Sequence, residues 1–347
     1  ADYLDEWFET DVLKAGMCSS GIIGTLLGPR SPGTAYVLLH HYMGEIDGAY
    51  RSWGYVRGGM GMVSEAIARA ARSFGADIRL NADVRRILVR GGHAVGVELG
   101  TGENIEARVV VSNADPKRTF LKFLEREDLP DDFVRGIENF KIEGSSGKVN
   151  LALKEAPSFA CLPGNGPHLE GAISIAPSVD YIEHAYDDAK YGDFSRRPFV
   201  DMCIPTTLDP TLAPPGKHIL SCFVQYAPYT LRQGTWPERR EAFGDTVLDT
   251  LEEYIPNLRD IILHAQVLSP WDLEQVYGLT GGNIFHGELT PNQLFFLRPM
   301  AGWAQYRTPI KGLYLCGSGA HPGGGVMGAP GFNAAREILR DWARLRA

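Results

Sequence analysis

The sequence predicts a mixed α/β fold with an α+β middle, and three observations carry that prediction. An apolar period of helical spacing over residues 60–74 leads into three consecutive strand signals that end at Val111. Near the other end, the apolar strand 312–317 runs into a glycine-rich loop and a last amphipathic helix. Between them, strand signals at 148–153, 198–204 and 218–226 surround one long helical period.

In chain order, the first helix follows Gly58-Gly59. Val63, Ala66, Ile67, Ala70, Ala71 and Phe74 recur three and four residues apart, so the helix is expected to bury one face and to stop at Gly75. Val84 to Val89 alternates apolar and charged residues, and Val95, Val97 and Leu99 alternate with polar or small ones. Ile105 to Val111 becomes a continuous apolar run. Gly91-Gly92 supplies a two-residue turn between the first two strands, and Gly100-Thr101-Gly102 the next, giving a three-stranded antiparallel meander. In the middle, Phe243, Val247, Leu248, Leu251 and Tyr254 mark a helix over 239–255 closed by Pro256. Residues 158–193, rich in Gly, Pro, Asp and Tyr, read as a long loop with short helical pieces. Ala335, Ile338, Leu339, Trp342 and Leu345 give the last helix its apolar face.

At 347 residues the chain is long enough for two domains, and 44% apolar with 22% charged residues is an ordinary globular balance. With 42 acidic against 34 basic residues the net charge is −8, which argues against nucleic acid or an anionic membrane as a partner. No apolar run approaches the length of a transmembrane segment. Five dispersed cysteines without C-x-x-C spacing are expected to be free thiols in a reducing, cytoplasmic setting. The chain opens on Ala1 with neither an initiator Met nor a signal sequence. The helix-like start at residues 3–8 is expected to be a cut into a longer protein.

The chain has no H-E-x-x-H, G-x-S-x-G or P-loop signature. His40-His41 with Glu45 reads as a histidine pair on a helix surface, and no metal site is expected. Gly323, Gly325 and Gly328 stand in G-x-G-x-x-G spacing, but only 19 residues follow Gly328. The second strand and acidic residue of a dinucleotide fingerprint therefore have no room. A strand, a glycine-rich loop and a helix N-terminus still aim backbone N–H groups at one point, where a flat or anionic ligand could approach.

These residues resemble a known family. Leu315-Cys316-Gly317-Ser318-Gly319-Ala320-His321-Pro322-Gly323-Gly324-Gly325-Val326-Met327-Gly328 is similar to the C-terminal flavin motif of phytoene dehydrogenase-like oxidoreductases. The match is to the branch named for pyridine nucleotide-disulfide oxidoreductase domain-containing protein 2. Gly281-Gly282-Asn283-Ile284-Phe285-His286-Gly287-Glu288, Arg298-Pro299, Gly58-Gly59-Met60 and Val109-Val110-Val111-Ser112-Asn113-Ala114-Asp115-Pro116 agree. The resemblance implies FAD as cofactor, on a glutathione-reductase-like or amine-oxidase-like domain whose N-terminal G-x-G-x-x-G unit is missing from this sequence. It implies an incomplete FAD domain at 54–122 and 308–347, and a mixed-sheet substrate domain at 1–53 and 123–307.

Carried over by position, Val84 would meet the adenine through its backbone and Asn113-Ala114 would lie near the adenosine. Gly317-Ser318 would approach the ribitol and diphosphate, and Gly325-Val326-Met327 would offer N–H groups to the N1–O2 edge of the flavin. Ser318 stands where related flavoenzymes often carry an acid, so the resemblance implies no ribitol–carboxylate bond at this position. The implied activity is hydride removal from an apolar small molecule by an FAD-dependent oxidoreductase of the dehydrogenase or desaturase type. The partner of this chain would be the missing N-terminal segment of the same protein. A flavin-dependent isomerase on the same fold, and a regulatory protein that keeps the fold, stay open. No catalytic acid or base is identified. His321 is the one titratable side chain within the loop, and Phe295, Phe296, Trp303 and Tyr306 either line a lipophilic cavity or belong to ordinary core.

Overall fold

A computed structural model describes residues 1–46, 48–50 and 54–345. Residues 51–53, at the expected boundary between 53 and 54, and the last two of segment 308–347 lie outside the described residues.

The chain starts with helices α1 (Asp11–Ile22), α2 (Thr34–Tyr42) and α3 (Gly61–Ser73). Strands β1 (Val84–Arg90), β2 (His93–Leu99), β3 (Asn104–Glu106) and β4 (Val110–Ser112) follow, then α4 (Asp131–Glu138). Next come β5 (Ser146–Leu153), β6 (Ile173–Ile175), α5 (Val179–Lys190), β7 (Phe199–Cys203) and β8 (His218–Gln225). Helix α6 (Trp236–Glu252), β9 (Ile262–Leu268), β10 (Leu313–Leu315) and α7 (Ala329–Leu345) complete the main elements. By compactness the chain divides into two units, residues 1–78 with 144–276 and residues 79–143 with 277–347. Helix α3 thus belongs to the first unit, while the meander β1–β3 belongs to the second. No helix among the described residues is long and apolar enough to cross a membrane.

The first unit is built on a five-stranded sheet of order β9-β5-β8-β7-β6. The sheet expected to be mixed is antiparallel at every pairing. On one face Val149, Leu151, Leu153, Val200, Met202, Leu220, Cys222 and Val224 pack against Trp236, Phe243, Val247 and Leu251 of α6. Burying such side chains stabilises by roughly 1.5–3 kcal/mol each. Helix α6 starts three residues before the expected position because Thr235 and Glu238 form a capping box.

Two other elements differ from expectation. The stretch 158–193 is not all loop, since it holds β6 and the twelve-residue α5. Ser178 caps α5 by accepting from Tyr181 N at 3.0 Å, and its Val179, Ile182, Ala185 and Ala189 are buried with Leu4, Ala15, Cys18 and Ile22. The sequence also gives no sign of β9, an edge strand whose residues are mostly exposed or half-buried. Helix α3 lies where expected, but the buried face does not follow: none of its residues is buried, and Ile67 is 60% and Phe74 91% exposed. No element among the described residues covers that apolar stripe.

In the second unit, β1–β3 form the expected meander, with Gly91 and Gly92 at φ 56° and 75° in the tight turn. The apolar run 105–111 does not continue as one strand. It breaks after β3, and β4 leaves the meander to pair in parallel with β10, Val110 against Leu313 and Ser112 against Leu315. A core of Ile87, Val110, Phe120, Phe133, Leu313, Leu315 and Ala334 fills this unit.

Candidate functional site

Ligands of open α/β sheets bind beyond the carboxyl ends of parallel strands. Here the parallel pair is β4 and β10. Asn113-Ala114 follows β4, and Cys316-Gly317-Ser318 follows β10. Cys316 N donates to Ser112 O at 2.8 Å, so the pairing carries on past the strands. A Cβ on Gly317 would sit 2.2 Å from Asn113 O, so only glycine permits this approach. The structure thus brings Asn113-Ala114 together with Gly317-Ser318. Asn113 is exposed, while Ala114, Gly317 and Ser318 are half-buried.

Val84 opens β1 opposite Leu99, the last residue of β2. Strand β2 starts beside Lys311, whose backbone bonds Gly92 and Ala94, and the bridge between His93 and Lys311 is parallel. The far end of β2, and Val84 with it, therefore points the same way as the carboxyl ends of β4 and β10. Gly325-Val326-Met327 lies just before α7. The loop is divided. Gly323 and Gly324 are buried, the latter with Phe285 Cδ1 2.0 Å from where a Cβ would be, whereas residues 325–328 are exposed, Val326 by 76%.

Arg298, which the sequence shows only as part of the family resemblance, has a role that sequence reasoning missed. Its side chain is fully buried and donates to five carbonyl oxygens. Nε reaches Ser318 O at 2.9 Å. Nη1 reaches Glu288 O at 3.1 Å and Gln293 O at 3.3 Å, and Nη2 reaches Phe285 O at 2.9 Å and Gly287 O at 3.1 Å. One guanidinium thus fastens segment 285–293 to the start of the glycine-rich loop. Within that segment Asn283 Oδ1 accepts from the N–H groups of Phe285 and Gly287, which shapes the turn around His286. His286 has φ 56°, and burial lowers its pKa below the ordinary imidazole value, so the ring is neutral at neutral pH.

The loop is also tied to α7. Tyr306 Oη donates to His321 O, and Asn333 Nδ2 donates to Tyr306 Oη, both at 2.9 Å. Tyr306 is buried in the core, and Trp303 packs edge-on against Phe133. Phe295 and Phe296 are exposed, by 46% and 74%. The four aromatics therefore do not converge on one lining. In the first unit, His41 Nδ1 lies 2.8 Å from Val37 O of its own helix, and no group of three metal-ligating side chains occurs among the described residues.

A parallel strand pair that ends in a glycine contact, with a glycine-rich loop leading into a helix, is a ligand-binding arrangement of an α/β fold. The chain belongs to the family of flavin containing amine oxidoreductases, whose model matches residues 8–339. It is 44% identical to rat (Rattus norvegicus) pyridine nucleotide-disulfide oxidoreductase domain-containing protein 2 over 97% of this chain and 60% of that protein. One component of the limonene dehydrogenase of Castellaniella defragrans is 29% identical over 82% of this chain and 55% of its own length. Among solved structures, a putrescine oxidase triple mutant superposes with TM-score 0.58 at 17% identity, covering 99% of this chain and 67% of that one. The chain thus spans about three fifths of the length of the first of these relatives. FAD is the cofactor of this family. The residues present fit part of it: Gly317 lets the ends of the two parallel strands approach closely, and the exposed loop 325–327 stands beside a helix N-terminus.

Proposed function

We propose that the protein to which this chain belongs is an FAD-dependent oxidoreductase of the dehydrogenase or desaturase type that removes a hydride from an apolar substrate. The observation that carries this reading is the contact of Gly317 with Asn113 at the carboxyl ends of the two parallel strands. In this reading residues 54–122 and 308–347 contribute to the FAD domain, and 1–53 and 123–307 to the substrate domain. A segment of the same protein preceding this chain supplies the pyrophosphate loop.

Bound there, FAD supplies the two-electron acceptor that no side chain can provide. Val84 and Asn113-Ala114 would hold the adenosine end, and Gly317-Ser318 would contribute to the ribitol and diphosphate site. The N–H groups of Gly325-Val326-Met327 would stabilise the negative charge that the flavin gathers on reduction. Arg298 keeps Ser318 in place. The family relatives include a component of a limonene dehydrogenase, which supports an apolar substrate.

The test is anaerobic mixing of the full-length, FAD-loaded protein with acyl-chain and polyene compounds. The oxidised flavin band should bleach once, and Gly325→Val should lower FAD content while the fold survives. Turnover that appears only with pre-reduced flavin and leaves its redox state unchanged would make the protein an isomerase. Absence of either response would leave a regulatory role, and bleaching by small polar amines alone would overturn the substrate class.

A further inference from the structure

We infer that the outer face of the five-stranded sheet binds the carboxylate of an amphipathic ligand, with Lys148 as its counter-charge. The link of this site to turnover rests on the oxidoreductase reading; the binding itself does not.

The face is defined by strand register. Lys148, Phe223, Asp201 and Ser174 lie opposite one another across β5, β8, β7 and β6. One step along, Gln266, Asn150, Ser221 and Cys203 form a second row, and Ala152 with Ile219 a third. Residues of alternate parity, such as Val149 and Cys222, make the packed core on the other side. The outer face therefore carries two polar rows and a third of His264, Ala152 and Ile219, with Phe223 half-buried against the cluster of Leu4, Cys18 and Ile22.

Within the second row the hydrogen bonds run in one direction. Asn150 Nδ2 donates to Gln266 Oε1 at 3.1 Å, and Ser221 Oγ donates to Asn150 Oδ1 at 3.0 Å. Ser221 Oγ is left to accept from Lys148 Nζ at 2.7 Å. That neutral hydroxyl uses one of the three ammonium donors. Among the described residues Lys148 forms no ion pair.

Asp201 is the nearest acid of its row, but Phe223 stands between them. Two strand spacings of ~4.8 Å put the Cα atoms of Lys148 and Asp201 roughly 10 Å apart. Asp201 accepts from Ser174 Oγ at 2.7 Å. Burial pushes Lys148 below and Asp201 above its ordinary pKa, so both charges are poorly solvated. Asp201 attracts Lys148 across the row without forming an ion pair, and a carboxylate in contact supplies a closer charge and the acceptors for the spare N–H groups. The apolar side chains of the face suit a hydrocarbon body. The class indicated is an acyl-chain or polyene acid. A neutral hydrocarbon would leave Lys148 unpaired, and an amine would be repelled by it.

Titration of this chain with decanoate, 1-decanol and decylamine tests the inference, followed by calorimetry and by NMR of ¹³Cε-labelled lysine. Decanoate should bind saturably and raise the pKa of Lys148. Lys148→Met should weaken decanoate at least tenfold and leave any decanol binding unchanged, with Lys148→Arg retaining most of the decanoate affinity. Should Lys148→Met not fold, the Lys148 resonance of the unaltered chain still reports the contact. Equal binding of decanol or decylamine, decanoate affinity that survives Lys148→Met, or no saturable decanoate binding would overturn it. No flavin enters this measurement, so its failure and that of the redox reading are separate results.

Discussion

At the scale of residues, Arg298 is the side chain on which most of the loop geometry converges. Replacing it with Met would remove the donor from five carbonyl oxygens, one of which, Glu288 O, keeps a bond from Gln293 Nε2, and we expect a loss of at least ~3 kcal/mol in urea unfolding of this chain. Arg298→Lys should recover little, because a compact ammonium cannot span acceptors on three sides. His286 yields a pH prediction. Its folded pKa lies below the unfolded value, so the stability it allows is present above the ordinary imidazole pKa. That stability is lost as pH falls from there towards the folded value. His286→Asn, which tolerates a left-handed backbone, should flatten the fall of unfolding midpoints as pH drops below the ordinary imidazole pKa. Gly317 was legible only through the family resemblance, and its packing against Asn113 emerged from the structure. The role of Arg298 was not legible, because an arginine that pairs with backbone carbonyls has no complementary residue to find.

At the scale of elements, periodicity located α3 but not its surroundings. An apolar stripe states which face avoids water; what covers it is decided elsewhere. Substituting Ile67 and Phe74 with Glu should therefore change the stability of this chain by no more than ~0.5 kcal/mol each and reduce its self-association in light scattering. In a longer protein whose added segment covers the stripe, the same changes should lower the thermal midpoint by several degrees. Helix α5 escaped notice because its Asp and Tyr residues resemble loop composition, although Ser178 and the spacing of Val179, Ile182, Ala185 and Ala189 were there to be found. Strand β9 left no alternation to detect, since an exposed edge need not bury either face. The break between β3 and β4 was hidden because the apolar character continues through it. What changes is the partner.

At the scale of the whole molecule, the mixed fold, the meander and the terminal strand–loop–helix were all legible, because each is a local pattern. The assembly of a cofactor site from residues 84, 113–114 and 317–327 was legible only through family resemblance, since no local rule joins segments so far apart. On the proposed reading these strand ends and the glycine-rich loop belong to an FAD site, and the sequence of this chain holds no dinucleotide fingerprint for the pyrophosphate, the main anion site of such domains. We expect the purified chain to be colourless and to lose added FAD on gel filtration. A stoichiometric flavin spectrum after purification would show that the chain holds FAD by itself.

The parallel pairing of β4 with β10 also sets a timetable. About 200 residues separate Ser112 from Leu313, and they include most of the five-stranded sheet unit. At a synthesis rate of roughly 5–20 residues per second, β4 leaves the ribosome some 10–40 s before its partner strand exists. During that interval the intervening sheet can fold, whereas Val110–Ser112 stays an open edge with an apolar flank. The nascent chain is therefore most exposed to misassociation just before residues 308–345 emerge, and help from chaperones would matter most at that moment.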